Sequence, residues 1–400
     1  MYSYFKNKYE AGKVIVALNK NIVCPGSLDG YVSYLLGGID FKKAEIIFRP
    51  VKTKNESNMG DIIAIYLKHN GELLIITAIE KLLANPDVVH AEPCYLFNEH
   101  IVPNDPYFRL LWGAETVKST LAWDYTTGSA GIVVGVLDSG IDYNHPDIKN
   151  NMWVSQNSYV NGWNFFDNNN NPMDSSGHGT HVAGTIGAVG DNFIGVTGIC
   201  WNIQIASLRI GDILFGLDAA IAAINFANKH RIPILNNSWG GRSYSPILKF
   251  AIEQYDGLFI ASAGNYGANN DYFPEYPATF DNDNIISVAA TNPDTLAPFS
   301  NYGMKSVDIA APGTDILSLS LHGGYSYQSG SSMSTPYVAG AAALLKTYMP
   351  DLTALEIKSI ILSSADRRPY LVGKILTGGI LDLNAMFQTA NRFTAQQRTV

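Results

Sequence analysis

The most restrictive feature of this sequence is a set of short apolar segments that alternate with segments of helical periodicity. The pattern begins after residue 106 and predicts strands at 132–137, 203–208, 232–236, 258–262 and 285–290, with helices at 218–228, 245–255 and 332–348. A strand that is apolar along its whole length is typical of a parallel sheet covered on both faces. The sequence therefore predicts a doubly wound, mostly parallel α/β sheet with helices on both faces. In such sheets, active sites lie at the carboxyl ends of strands.

The first hundred residues follow a different order. Strands are predicted at 13–18, 44–48, 61–67 and 88–97, and helices at 27–36 and 72–84. The order βαββαβ predicts a small ferredoxin-like α+β module that can fold alone. The polar segment 98–106, which contains two prolines, is expected to be a linker. We therefore predict two domains, 1–100 and 101–400, within the range that the chain length allows.

The composition excludes several classes of protein. An apolar fraction of 46% with 16% charged residues supports a large core and excludes a disordered chain. A net charge of −8 without a long basic run argues against nucleic acid as a partner. Three cysteines are too few for a disulfide framework. No apolar stretch reaches the roughly 18 residues of a membrane-spanning helix, so no membrane span is expected.

Four separated segments each carry a residue suited to hydrolytic chemistry. Asp138 lies in a DSG turn after a predicted strand, His178 begins HGTHVAG, Asn265 ends IASAGN and Ser332 lies in SGSSMSTP. Taken singly, each residue has an ordinary structural interpretation as a turn residue, a packed histidine or a helix cap. His178 and His181 have the spacing of a metal pair, but the glutamate of an HExxH zinc site is absent. His181 is therefore expected to be a packed structural residue.

Together, and in this order, the segments resemble the subtilisin-like serine proteases over essentially the whole chain. Asp138, His178 and Ser332 follow the chain order of that family, and DSGID, HGTHVAG, AAPGTDI and GSSMSTPYVAG are similar to its motifs. The resemblance implies a serine endopeptidase in which Ser332 is the nucleophile, His178 the general base, and Asp138 the residue that orients His178. It also implies an oxyanion hole formed by Asn265 and the backbone N–H of Ser332.

Three positions depart from the family pattern. Ser331 stands where threonine is usual, Ser334 where alanine is usual, and Tyr337 where histidine is usual. None of the three transfers a proton in the implied mechanism, so we expect them to affect rate and helix packing rather than the chemistry.

The segment 236–241, NNSWGG, resembles the family strand that pairs with an extended protein or peptide substrate. Alone, it would be interpreted as a buried strand end followed by a surface tryptophan. The resemblance implies a first specificity pocket whose lining residues are Ser238, Trp239 and Gly240, with Ala263 and Gly264 opposite. The Tyr276–Pro277 bond matches a family position that is often cis.

The resemblance also gives a role to the first hundred residues. They are similar to the family's prodomain, which implies a self-processing zymogen whose prodomain acts as intramolecular chaperone and inhibitor. Maturation is expected to cut between Phe97 and Pro103, and the alternative is a permanently retained ferredoxin-like domain. The start of the chain does not resemble a signal peptide. We therefore expect a protein that is cytoplasmic or non-classically exported, although secretion is usual in the family. We also expect a monomer.

The loop 188–196 resembles a calcium-binding loop of the family. The resemblance implies ligands from the carbonyl groups of Val189, Ile194 and Val196, the side chain of Asn192, and the carboxylates of Asp105 and Asp147. Asp191 is expected to assist or replace Asn192. A second family site at 164–173 keeps only the carboxylate of Asp167 and is expected to be weak or missing. No organic cofactor is expected.

Two other functions are compatible with parts of the sequence. A catalytically latent relative could bind peptides in the same cleft, but the complete set of catalytic residue types argues against it. An α/β-hydrolase esterase is disfavoured because GSSMS lacks the second glycine of G-x-S-x-G and because its residues occur in a different order.

Overall fold

The structure is a computed structural model that describes residues 9–22, 27–50, 58–96, 101–154 and 161–397. The chain forms two compact units, Met1–Glu99 and His100–Val400. Each unit has hydrophobic clusters of its own.

The first unit is a four-stranded antiparallel sheet with two helices. Its elements are β1 (Tyr9–Asn19), α1 (Leu28–Leu36), β2 (Phe41–Phe48), β3 (Met59–Leu67), α2 (Glu72–Leu83) and β4 (Val88–Tyr95). The strand order is β2-β3-β1-β4, and each neighbouring pair is antiparallel. The predicted ferredoxin-like α+β fold is confirmed.

The core of the first unit follows from two periodicities. In β1, the alternate residues Val14, Val16 and Leu18 are fully buried, as expected for a strand with one covered face. In α2, Ile75 and Leu82 are buried at helical spacing. Residues 97–100, which carry much of the predicted maturation segment, lie outside the described residues.

The second unit contains the elements from α3 to α10. They are α3 (Trp112–Thr116), α4 (Ser119–Trp123), β5 (Gly128–Asp138), β6 (Gly162–Asn164), α5 (His178–Gly187), β7 (Asn202–Arg209), α6 (Leu217–Lys229), β8 (Ile234–Asn237), α7 (Pro246–Glu253), β9 (Leu258–Ser262), β10 (Ile285–Thr291), β11 (Ile309–Pro312), β12 (Ile316–Ser320), β13 (Gly324–Gln328), α8 (Ser331–Tyr348), α9 (Ala354–Ser363), β14 (Asp366–Arg367), β15 (Gly379–Ile380) and α10 (Leu383–Gln397).

Nine of these strands form one sheet in the order β14-β15-β11-β10-β9-β8-β5-β7-β6. All neighbouring pairs are parallel except β14 and β15 at one edge. The five strands that the sequence predicts are β5, β7, β8, β9 and β10, and they are consecutive at the centre of the sheet. β12 and β13 form a separate hairpin.

Helices cover both faces of this sheet. In β9, Leu258 and Ile260 belong to the cluster that contains α5 and α8, whereas Phe259 and Ala261 belong to the cluster that contains α6 and α7. Successive strand residues therefore enter opposite layers, which explains why the strand is apolar throughout. The predicted doubly wound fold is confirmed.

Three neighbouring strands bring polar residues to one edge of the sheet. β9, β8 and β5 are adjacent, and their carboxyl ends lead to Asn265, Ser238 and Asp138 respectively. The helices α5 and α8 begin at or beside His178 and Ser332. Within the described part of the chain, no helix combines the length and apolar character needed to cross a membrane.

Candidate active site

A short hydrogen bond joins the two predicted proton-handling residues. His178 Nδ1 donates to Oδ1 of Asp138 over 2.7 Å, and the same oxygen accepts the backbone N–H of Ser139. Asp138 is fully buried, whereas the His178 side chain is 30% exposed. Gly179 permits this approach, because a methyl group there would collide with the carbonyl oxygen of Gly140. The buried carboxylate therefore fixes the Nδ1 edge of the imidazole ring, while the side chain remains partly accessible.

The charge of Asp138 decides the pKa of His178. Burial lowers the pKa of the imidazole, but the Asp138 carboxylate raises it through its charge and its hydrogen bond. A second carboxylate, Asp174, also raises it. The net effect is a pKa above the usual value for histidine, so the environment favours the imidazolium that a general base becomes.

Asp174 is a candidate functional residue that the sequence did not reveal. It is buried and accepts hydrogen bonds from the hydroxyl of Ser139, the N–H of Gly177, and both the N–H and the hydroxyl of Thr180. These contacts hold the first turn of α5, where His178 lies. Its position four residues before His178 was the available signal, but an aspartate among serines has the composition of an ordinary loop.

The predicted nucleophile, Ser332, is hydrogen-bonded to Ser238, the residue that follows β8. Ser332 Oγ donates to the carbonyl oxygen of Ser238 over 2.9 Å, and Ser238 Oγ donates to the carbonyl oxygen of Ser332 over 2.8 Å. Asn236 donates a further hydrogen bond to Ser238 Oγ. The structure thus brings Ser332 and Ser238 together, and the hydroxyl of Ser332 is turned towards the strand.

Asn265 and the first turn of α8 form a cluster of hydrogen-bond donors. Asn265 Oδ1 accepts the N–H and the hydroxyl of Ser331, which leaves its Nδ2 as a donor. The N–H of Met333 donates to Gly330, whereas that of Ser332 remains available among the hydrogen bonds of the described residues. A methyl group placed on Gly330 would lie 3.3 Å from Asn265 Nδ2 and 3.6 Å from Ser332 N. The two donors therefore flank the same point.

The three positions that depart from the family pattern have clear packing roles. Ser331 also accepts the N–H of Gly264, so its hydroxyl links both sides of the site. Ser334 donates to the carbonyl oxygen of Ala311, and Tyr337 is buried in the core. His181 is fully buried and bonded through Nε2 to the carbonyl oxygen of Ile316, and burial lowers its pKa to about 4.

The predicted pocket residues lie on two segments beside these groups. Gly240 and Gly264 both lie close to the Glu275 side chain: a methyl group on either glycine would lie 3.1 Å from it. The side chain of Ala263, in contrast, is fully buried in a hydrophobic cluster and does not face a cleft.

The other side of Trp239 borders an apolar cavity of about 610 Å³. Phe215 packs against the tryptophan ring, with ring centroids 6.5 Å apart. Ile213 and Leu214 are more than 80% exposed at the cavity margin. The Tyr276–Pro277 bond on the same rim is cis, as the sequence implied.

The predicted calcium ligands converge around two buried carboxylates. Asp105 and Asp147 are 4% and 0% exposed, and burial raises the pKa of each to about 6. Asp105 Oδ1 has no hydrogen-bond partner among the described residues. Its other oxygen accepts the N–H of Asp191, and Asp147 accepts the side-chain amide of Asn192. An unpartnered buried carboxylate oxygen is a suitable cation ligand.

The loop also offers carbonyl oxygens. Those of Val189, Ile194 and Val196 accept none of the backbone hydrogen bonds recorded for the described residues. Among the described residues, no group of three or more histidine, cysteine, aspartate or glutamate side chains is placed to hold a metal ion. At the second predicted site, Asp167 is instead bonded to Asn164 and lies 3.8 Å from the Arg209 guanidinium.

Comparisons with known proteins identify the family of this chain. The subtilase family (peptidase S8) model matches residues 129–392. A thermophilic serine proteinase from Bacillus sp. (strain AK1) is 37% identical over 296 residues, covering 72% of this chain and 70% of the relative. Thermitase from Thermoactinomyces vulgaris is 35% identical over 272 residues, covering 66% of this chain and 92% of thermitase.

A solved structure shows the same fold. A protease from Pseudoalteromonas arctica superposes with a TM-score of 0.64 at 29% identity, over 72% of this chain and 100% of that structure. The parallel sheet, the polar residues at its carboxyl edge and these relatives lead to one assignment. The chain belongs to the subtilase family and is a serine endopeptidase.

Proposed function

We propose that this chain hydrolyses peptide bonds through Asp138, His178 and Ser332 and that it is made as a self-processing zymogen. The observation that carries the proposal is the 2.7 Å hydrogen bond from His178 to the buried carboxylate of Asp138. This bond fixes the proton on Nδ1 and leaves Nε2 free to accept a proton from a serine hydroxyl.

The proton then follows a simple path. Ser332 Oγ attacks the scissile carbonyl carbon as its proton moves to Nε2 of His178, and Asp138 stabilises the imidazolium. The same proton passes to the leaving amine, which gives an acyl-enzyme. Water, activated by His178, then releases the carboxylate product and restores Ser332.

The oxyanion that forms in each step needs donors. Asn265 Nδ2 and the N–H of Ser332 are the candidates, since both flank one point and neither is engaged by a described acceptor. The positive end of the α8 dipole favours negative charge at the same place.

Attack requires a change of rotamer at Ser332. In the resting structure its hydroxyl donates to Ser238 rather than to His178. Rotation about χ1 releases that bond, and the reciprocal bond from the Ser238 hydroxyl to the Ser332 carbonyl keeps the backbone in place during the rotation.

The first unit acts, in this proposal, as prodomain: chaperone, then inhibitor of the cleft. Its ferredoxin-like fold and its place before the linker support this role. Maturation cuts between Phe97 and Pro103 and yields a catalytic unit that begins near residue 100.

Calcium is proposed as a structural ion. Asp105, Asp147 and Asn192, with the carbonyl oxygens of Val189, Ile194 and Val196, would hold it and bring together the segment around 105, the turn at 147 and the loop 188–196. A bound Ca²⁺ would neutralise buried carboxylates and take no part in proton transfer.

The test is fluorophosphonate labelling of the purified full chain, read by intact mass, with Ser332→Ala as control. We expect one adduct on a species that lacks about the first hundred residues, and an unlabelled full-length Ser332→Ala chain. A Ser332→Ala chain that still matures by itself would exclude self-processing. If removal of the first unit by another protease gave no labelling either, the peptide-binding alternative would replace the proposal.

A further inference from the structure

We infer that the first specificity pocket carries a negative charge, Glu275, and that the enzyme prefers lysine or arginine before the scissile bond. The inference rests on the proposed function, because it assigns the substrate class of the same site. Glu275 lies in none of the motifs that resemble the family, and the sequence alone gives it no role.

The position of Glu275 follows from three contacts. The segment containing it is joined to the substrate-pairing segment by reciprocal backbone hydrogen bonds between Gly241 and Tyr276, of 2.7 and 2.8 Å. A methyl group on Gly240 would lie 3.1 Å from Glu275 Oε1, and one on Gly264 would lie 3.1 Å from its Cγ. A methyl group at either glycine would press on the Glu275 side chain, so that side chain lies against both predicted walls of the pocket.

Each of the two glycines that form the predicted pocket walls lies within two residues of a candidate active-site residue. Gly240 is two residues from Ser238, which is bonded to Ser332 in both directions, and Gly264 precedes Asn265. A side chain that enters between the walls from a bound substrate is therefore directed at the Glu275 carboxylate.

The carboxylate has no adequate partner of its own. Glu275 is only 4% exposed, and its Oε2 has no hydrogen-bond partner among the described residues. Burial raises its pKa, and the charge of Arg242 opposes that rise only in part. Arg242 itself is exposed and lies over the Tyr266 ring, 4.7 Å from its centroid. A buried, unpartnered carboxylate is costly, and a cation brought by the substrate removes that cost.

An apolar cavity also borders the substrate-pairing segment. It is bounded by Phe215 and the exposed Ile213 and Leu214, has no charged lining residue and suits an aliphatic or aromatic substrate side chain. The segment thus borders both a buried carboxylate and an apolar cavity.

The maturation segment does not satisfy this preference. Residues 97–103 contain neither lysine nor arginine, and His100 is their only basic residue. Intramolecular cleavage tolerates a poor bond, because tethering gives a high effective concentration. The cut is then expected after His100, the one residue there that can carry a positive charge.

The experiment uses the matured enzyme and fluorogenic peptides that differ only in the residue before the scissile bond. Lysine is compared with norleucine, and arginine with citrulline, since each pair differs in charge but hardly in size. We expect kcat/KM to favour the charged member by about tenfold to a hundredfold. Glu275→Gln, which keeps the shape and removes the charge, should bring both ratios close to one.

Three outcomes would overturn the inference. Equal rates within each pair, a preference for norleucine or phenylalanine, or a preference for alanine that persists in Glu275→Gln would show that Glu275 merely fills space. Fluorophosphonate labelling of each preparation separates this failure from that of the proposed function. Labelled enzyme without a charge preference contradicts only the pocket assignment, whereas protein that cannot be labelled contradicts the catalytic proposal.

Discussion

Two clusters of buried carboxylates lie in the catalytic unit and differ in what balances their charge. At the sheet edge, Asp138 faces a protein cation, because His178 bonds to it and can take a proton. Around the loop 188–196, Asp105 and Asp147 are equally buried but receive only N–H and hydroxyl donors. Each cluster keeps one buried carboxylate oxygen without a hydrogen-bond partner among the described residues, but only the first has a titratable histidine bonded to it.

This difference indicates that the two clusters serve different purposes. A carboxylate that is balanced by a titratable side chain can support proton transfer, whereas carboxylates left unbalanced create a demand for an ion from solution. Substitution at the first cluster should therefore change rate with little effect on ion dependence. Substitution at the second should change stability and leave the chemical step nearly intact.

The largest expected effect is that of Asp138→Asn. An amide would present an N–H to His178 Nδ1 and favour the tautomer whose proton is on Nε2, which cannot accept the proton of Ser332. We expect kcat to fall about 10⁴-fold, with KM changed far less. Steady-state hydrolysis of a peptide substrate measures both constants.

The matching control for that variant is its melting temperature with and without EDTA. If Asp138→Asn abolished the response of the melting temperature to EDTA as well as lowering kcat, the two clusters would not act independently. The contrast drawn between them would then be wrong.

A smaller effect is expected for Asn265→Ala, which removes a neutral donor near the first cluster. Because the donor acts on charge that develops only during reaction, kcat should fall about 10²–10³-fold while KM and the kinetic pKa of His178 stay constant. Asn265→Asp is a sharper companion, since a negative charge at the oxyanion should lower kcat further. A kcat within a few-fold of the unmodified enzyme would remove Asn265 from the oxyanion hole.

The second cluster predicts an effect on stability. Chelation with excess EDTA should lower the melting temperature by about 5–10 °C, because an ion that binds only the folded state stabilises it by mass action. Asp147→Asn should lower it in calcium but not in EDTA, where it removes an uncompensated buried charge. Differential scanning calorimetry of both proteins, inactivated by fluorophosphonate to prevent autolysis, measures this. A melting temperature that does not respond to EDTA would contradict the calcium site.

The sequence predicted the parts of the structure that depend on periodicity and local motifs. The five central strands were identified because both faces are buried, so each segment is apolar throughout. The hairpin of β12 and β13 was not predicted, because ILSLS and GYSYQ are only five residues long and the turn between them lacks a strong signal.

The candidate functional residues that were missed are single charged residues whose surroundings come from distant parts of the sequence. Asp174 bonds to Ser139, 35 positions away, and Glu275 is buried by Gly240 and Gly264. In sequence both lie in polar or proline-containing segments that are typical of exposed loops. Their burial is a property of tertiary packing, so no local pattern could reveal it.

The smallest expected effect concerns Asp174, the second carboxylate that raises the pKa of His178. Asp174 raises the pKa of His178 less than Asp138 does, so Asp174→Asn should lower the kinetic pKa of kcat/KM, and by less than the loss of the Asp138 charge would. Activity requires neutral His178, so it falls as pH decreases through this pKa, and the variant should remain active at a slightly lower pH. Rate profiles between about pH 5 and 9 measure the shift.

A purely structural role for Asp174 predicts a different result. The amide would face the N–H and hydroxyl donors of Thr180 and weaken the first turn of α5, which lowers kcat and the melting temperature without moving the profile. Thr180→Val removes one of those hydrogen bonds and keeps the charge, so it serves as the matched control. A shift of the profile to lower pH in Asp174→Asn, absent in Thr180→Val, assigns the effect to charge. It would also show that the first cluster is balanced by two carboxylates against one imidazolium.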